Sequence, residues 1–186
     1  SEREEAGVVR LLDPLVLSNP GQSCELTAQC IAFDLDADGR LEQIPMLGEG
    51  SGFLVFDRNA NGRADDGSEL FGVASGRGFA DLAKLDGDGN GWIDEADPAW
   101  RRLALWSGER FESLAVSGIG ALNTSAVNAE FALKSADNAL LGQIRAAGVY
   151  LTGYVFNGAI VRMPDLLLTA GATLAAFALA LLLLWT

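Results

Sequence analysis

The sequence predicts an α+β fold that ends in one C-terminal transmembrane helix, and three observations carry this prediction. Two short stretches with helical spacing of apolar residues, 78–85 and 97–106, flank a loop rich in Asp and Gly. Runs of strand type, SGFLVF (51–56), AEFALKS (129–135) and GVYLTGYVFNGAIVRM (148–163), surround them. The twenty residues from Leu166 to Trp185 carry no charge, and at 1.5 Å per residue a helix of that length spans about 30 Å, the hydrocarbon thickness of a bilayer.

In chain order, residues 1–33 form an N-terminal segment, 34–163 the main domain and 164–186 the anchor. The opening SEREEAGVVRLLDP has no apolar core of a signal peptide. In GFADLAKL, Phe79, Leu82 and Leu85 share one helical face, and in DPAWRRLALW so do Trp100, Leu103 and Trp106. The segment 148–163 reads as a hairpin turning at Gly153 or at Asn157-Gly158. Pro164 and Asp165 mark entry into the membrane helix, and Trp185 stands where an interfacial anchor belongs. Ala172, Ala176 and Ala180 recur every four residues beside Gly171 and Ala175. Such small-residue stripes let membrane helices pack closely, so other integral membrane subunits are the expected partners.

Asp86 to Asp97, DGDGNGWIDEAD, places oxygen ligands where a calcium ion needs them. Asp86, Asp88 and Asn90 occupy loop positions 1, 3 and 5, and Gly91 occupies position 6. Trp92 offers a backbone carbonyl at 7, and Asp94 and Asp97 stand at 9 and 12, which is the EF-hand spacing with Asp for Glu at the end. Residues 34–42 repeat the register with Asp34, Asp36, Asp38, Gly39, Arg40 and Glu42, although position 12 is Pro45 and Glu49 is the nearest substitute. Residues 57–69 repeat it with Asp57, Asn59, Asn61, Gly62, Arg63 and Asp65, closing at Glu69 one place late. In both, the arginine at position 7 serves through its backbone carbonyl. The stretch from Asp34 to Asp97 carries a net −10 of the chain's −12. That density repels itself unless counter-ions neutralise it, and Ca2+ is the expected cofactor.

The 186 residues include no His and two Cys, which excludes Ser-His and Cys-His catalysis and His-ligated zinc. No catalytic residue is expected, and the chain reads as a non-enzyme. The acidic balance and the lack of a basic stripe argue against nucleic acid. Cys24 and Cys30 are close enough in sequence to bridge, and a disulfide is expected in an oxidising compartment, with two reduced thiols as the alternative.

The strings FDLDADGRLEQ, SGFLVFDRNANGRADDGSELFG and GFADLAKLDGDGNGWIDEADPAWRRLALW resemble the calcium-binding region of large secreted bacterial RTX-type proteins. They are especially similar to the self-processing module of the iron-regulated members, from DPLVL (13–17) through GSELFG (67–72) to MPDLLL (163–168). The resemblance implies calcium-provoked cleavage of an Asp-Pro bond just ahead of the module, here Asp13-Pro14, with capture of the freed aspartyl group by a Lys amine. After DPLVL, however, this chain reads SNPGQSCELTAQC instead of an acidic loop, and SGER (107–110) replaces a further loop. Asp13-Pro14 is therefore expected to stay intact.

The resulting expectation is a membrane-anchored calcium-binding module, single-pass in the bacterial cytoplasmic membrane, with its domain on the periplasmic or external side. It would serve as an accessory or stabilising subunit of a membrane complex. A self-cleaving module and a calcium-dependent surface adhesin are the alternatives.

Overall fold

Leu15–Ser18 is buried at every position, as a strand covered on both faces must be, and it lies inside the main sheet. The computed structural model describes residues 11–20, 22, 24–134, 137–138, 140–156, 159–162 and 177–184. In chain order the strands are β1 (Leu11–Leu12), β2 (Leu15–Ser18), β3 (Leu26–Phe33), β4 (Glu42–Leu47), β5 (Ser51–Phe56), β6 (Trp92–Ile93) and β7 (Leu103–Trp106). They continue with β8 (Phe111–Ser113), β9 (Ile119–Asn123), β10 (Val127–Lys134), β11 (Leu140–Phe156), β12 (Ala159–Arg162) and β13 (Phe177–Leu184). The main sheet runs β6-β9-β11-β13-β2-β5-β7-β8, with β1 beside β13 and both β10 and β12 on β11, while β3 and β4 pair separately.

The period-2 alternation of strands sorts the core onto two faces of this sheet. Val16, Phe53, Val55 and Trp106 point to one side and meet Phe33, Ile44 and Leu47 of the β3–β4 hairpin. Leu15, Leu17, Leu54 and Leu103 point to the other and meet Phe71, Leu82, Ile93 and Trp100. The main sheet is thus covered by a hairpin on one face and, on the other, by the chain that carries the third Asp loop. Trp106 anchors the first side, with ring centroids 4.5 Å from Phe33 and 5.8 Å from its register partner Phe53. On the second side the Tyr150 hydroxyl donates to the Ser18 carbonyl at 2.8 Å, and burial pushes its pKa up to about 12.

This architecture corrects the α+β expectation, since the described residues are built mainly from strands. The stretch 78–85 is helical, as α1 (Gly78–Leu82) and a 3₁₀ turn at Ala83–Leu85. The stretch 97–106 is not: after a single 3₁₀ turn at Trp100–Arg102 it becomes β7, paired with β5. LALW satisfies a helical face and an interior strand equally, and the free edge of β5 decides for the strand. No helix pair therefore brackets the third loop, so it is not an EF-hand.

The membrane reading is corrected in the same way. Phe177–Leu184, within the segment expected to span the bilayer, forms β13 between β11 and β2. Among the described residues no helix is long and apolar enough to cross a membrane. An uncharged apolar run suits a strand flanked on both sides as well as a lipid-facing helix, and hydropathy alone does not separate them. The single-pass placement in the cytoplasmic membrane, with the domain on its periplasmic or external side, falls with the helix, as does the partnership with integral membrane subunits through it. Residues 163–176 and 185–186, which include Gly171, Ala172, Ala175, Ala176 and Trp185, lie outside the described residues.

SGFLVF and residues 129–134 are strands as expected. β11 and β12 pair in the register Gly153↔Arg162 to Phe156↔Ala159; Asn157 and Gly158, one of the expected turn positions, lie outside the described residues. Cys24 is buried in the core, whereas Cys30 is exposed on β3; the two are free thiols, not the expected disulfide. Burial raises the Cys24 thiol pKa to about 11.

Removing the Trp106 side chain opens the contact between the sheet and the β3–β4 hairpin. Trp106→Ala is expected to cost about 3–5 kcal/mol in urea unfolding; a loss under about 1 kcal/mol would show that the hairpin does not depend on it.

Candidate functional site

Each of the three Asp loops folds around the carboxylate of its first residue. Asp34 accepts the N–H groups of Asp38 and Gly39 at 3.0 and 2.9 Å. Asp57 accepts those of Asn61 and Gly62 at 3.1 and 2.9 Å. Asp86 accepts those of Gly89, Asn90 and Gly91 at 2.8, 3.2 and 2.9 Å. The glycine at position 6 has φ of +87°, +78° and +84° in Gly39, Gly62 and Gly91, the left-handed region in which a side chain is strained. The position-5 side chains Asp38, Asn61 and Asn90 then accept the N–H groups of Arg40, Arg63 and Trp92 at position 7.

A closing carboxylate completes each loop, and it reaches the same target from three different offsets. Glu42 accepts the N–H of Leu35 at 2.8 Å, Glu69 that of Arg58 at 2.8 Å, and Asp97 that of Gly87 at 2.7 Å, always position 2 of the loop. Glu69 and Asp97 each bind a second backbone N–H, that of Asp65 at 3.1 Å and of Asp94 at 2.9 Å. Position 9 thus closes the first loop, 13 the second and 12 the third. Glu69 and Asp97 are only 4% and 3% exposed, so losing either leaves part-buried N–H groups without their acceptor.

Two of the loops gather their carboxylates. The carboxylate oxygens of Asp34, Asp36 and Glu42 lie within 4.8 Å of one another, as do those of Asp86, Asp88 and Asp97. Ligands on opposite sides of a calcium ion at roughly 2.3–2.6 Å stand up to about 5 Å apart, so both sets fit a hard divalent cation. Asp94, at 2% exposed, is outside the second set; its Oδ1 accepts the N–H of Ala96 at 2.9 Å and caps the following turn. The middle loop is arranged differently. Asp65 is engaged by the side-chain amides of Asn59 and Asn61 at 2.7 and 2.6 Å and by Arg63 Nε at 2.7 Å. These donors hold its carboxyl below the ordinary carboxylate range, the Asn59 bond foremost. Asp86 is likewise held low, first by the N–H of Gly91. Glu49, the expected substitute ligand for the first loop, lines a separate polar groove with Glu109 and Arg110.

Folding builds a further site that linear spacing does not reveal. Asp13 and Pro14 are buried, and Asp13 Oδ2 accepts the N–H of Gly78 at 3.0 Å. Its Oδ1 has no hydrogen-bond partner among the described residues. The main-chain carbonyl of Asp13 lies against Gly72 and Gly78, so closely that a Cβ on Gly72 would overlap its oxygen. Burial pushes the Asp13 carboxyl above its ordinary value, against the opposing pull of the Gly78 N–H and of the Arg145 charge; Asp81 adds to the rise. The only trace of this site in the sequence is an Asp-Pro pair and the glycines of GSELFG and RGFADL.

The fold and these loops define a class: a β-rich domain bearing three Asp/Asn/Gly loops, two of them with clustered carboxylates. The chain belongs to the SPM domain family, whose model matches residues 15–143. It is also 30% identical over 185 residues to the iron-regulated protein FrpA of Neisseria meningitidis serogroup C, an alignment that covers 90% of this chain and 16% of that protein. The chain therefore spans about a sixth of the length of that relative.

Two outcomes follow for stability. Glu69→Ala strands two part-buried N–H groups and is expected to cost about 1–3 kcal/mol in urea unfolding; an unchanged midpoint would mean that Glu69 does not hold the loop. For Asp13 the folded pKa lies above the unfolded value of about 3.9. Its contribution is then full below pH 4 and is lost as pH rises through the folded value. Asp13→Asn, which keeps an acceptor for Gly78, is expected to match the wild type near pH 4 and to exceed its stability increasingly towards pH 7. Thermal melts across that range check the sign.

Proposed function

We propose that this chain is a calcium-binding, self-processing module that cleaves its own Asp13-Pro14 bond. One observation carries the reading: an aspartyl carboxyl directly before a proline is buried, with one oxygen held by Gly78 and the other without a partner among the described residues. Membership of the SPM domain family and the RTX-type resemblance of the loops support it. So does the spacing of two carboxylate clusters suited to calcium. Asp34, Asp36 and Glu42 would hold one ion, and Asp86, Asp88 and Asp97 another. When bound, calcium supplies the positive charge that offsets the net −10 of this region.

The chemistry belongs to Asp13. Its side-chain oxygen attacks the carbonyl carbon of its own residue and forms a five-membered cyclic anhydride. The C–N bond to Pro14 breaks, its electron pair passes to the proline nitrogen, and that nitrogen takes a proton from solvent. Water then opens the anhydride to two carboxyl groups. Gly78 orients the carboxyl, and the packing of Gly72 and Gly78 on the scissile carbonyl fixes the peptide. Each chain reacts once, so there is no turnover. This reading departs from the expectation of an intact bond because folding lays residues 72–78, between the second and third loops, directly on Asp13.

Incubation of the intact chain with millimolar calcium is expected to release a fragment ending at Asp13, seen by mass spectrometry. Chelator or Asp13→Asn should abolish the release, and Asp86→Ala should slow it at least tenfold. A chain whose mass is unchanged after prolonged incubation with calcium would refute the reading.

A further inference from the structure

A pocket of about 310 Å³ opens beside Asp13, and the step above leaves its charged residues unused. Arg77, Phe79, Asn128, Glu130 and Arg145 line it together with Asp13. Two of them stand on strand irregularities. In the β10–β11 pairing, Asn128↔Ala146 is followed by Phe131↔Ile144, so β10 carries an extra residue around Glu130 opposite Arg145. In the β11–β13 pairing, Ile144↔Leu181 is followed by Ala146↔Ala180, so Arg145 has no register partner of its own. A bulged residue leaves the regular alternation and its side chain is re-aimed. Ile144 and Ala147 on the same strand are buried in the core, while Arg145 is exposed and lines the pocket that contains Asp13.

The pocket poses a definite problem. A carboxyl group attacks a carbonyl carbon as the anion, yet Asp13 is only 8% exposed and burial disfavours the charge. The charged groups facing it are Arg145 from β11, Glu130 from β10, Asp81 from α1, and Arg77 from the turn before α1. Arg145 is the cation whose charge favours the ionised form of Asp13, and Asp81 opposes it.

We propose that Arg145 is a positioning residue for Asp13: it stands on the strand bulge and lines the same pocket, from where its charge keeps the Asp13 carboxyl ionised and oriented. The proposal rests on the self-processing reading only for what the carboxylate does next. It adds no bond-making step. A cation beside a buried acid extends the reactive form to lower pH, so the acidic limb of the reaction should report the side chain directly.

Arg145→Gln, Arg145→Met and Arg145→Lys in the full chain test it. The Asp13 carboxyl is titrated by carbon-13 NMR, with Asp13→Asn used for assignment, and fragment release in millimolar calcium is followed against pH. Arg145→Gln is expected to move both the titration midpoint and the acidic limb up by about one pH unit, a tenfold loss of rate on the rising limb. Arg145→Lys should hold both near the wild-type position. Arg145→Met replaces the Gln variant if that one does not fold. A folded neutral variant with an unmoved midpoint overturns the proposal. If the wild type never cleaves but the midpoint moves, the self-processing reading falls and the hold of Arg145 on Asp13 stands; cleavage with neither readout responding removes Arg145 alone.

Discussion

Close packing of one glycine-bearing segment, residues 67–78, joins the separate parts of this protein. Gly67 donates its N–H to the Asp34 carbonyl at 2.8 Å, and a Cβ on Gly67 would overlap the Leu35 carbonyl. Five residues on, Gly72 lies against the Asp13 carbonyl with φ at +79°, and Gly78 donates to the Asp13 carboxyl. The segment therefore touches the first loop at one end and the Asp-Pro peptide at the other, and it links the second loop to the third. Backbone approaches this close tolerate no side chain.

The acidic loops are held by backbone donors that compensate for the crowding of like charges. Each position-1 aspartate collects two or three N–H groups, and each closing carboxylate bonds the amide of position 2. Hydrogen bonds to a carboxylate are stronger than those between neutral groups, and here they fix the shape of each loop. The middle loop uses Asn59, Asn61 and Arg63 to occupy Asp65, so its charge is already partly balanced from within.

The main misreadings of the sequence share one cause: apolar runs that satisfy two periodicities. LALW has the spacing of a helical face and the composition of an interior strand, and only the position of β5 makes it β7. The uncharged C-terminal run is long enough for a bilayer, yet Phe177–Leu184 stands between β11 and β2. Cys24 and Cys30 are near in sequence, but β3 carries Cys30 to an exposed position while Cys24 enters the core. For the two apolar runs the deciding partner lies far along the chain, as β5 does for β7 and β2 for β13.

The sequence by itself determined the three loops. Asp, Asn and Gly at fixed short offsets set local hydrogen bonds within about a dozen residues, and such patterns survive without knowledge of the rest of the fold. It also determined the strand at 51–56 and the helical turn at 78–85, where propensity and pattern agree. Tertiary structure alone decided which carboxylates converge, because Glu42, Glu69 and Asp97 reach equivalent amides from loop positions 9, 13 and 12. It alone placed Asp13 against Gly72 and Gly78, 59 and 65 residues along the chain, and in one pocket with Arg145. Spacing records what neighbours along the chain can do; the burial of a carboxyl and the cation beside it arise only when distant strands and turns pack together.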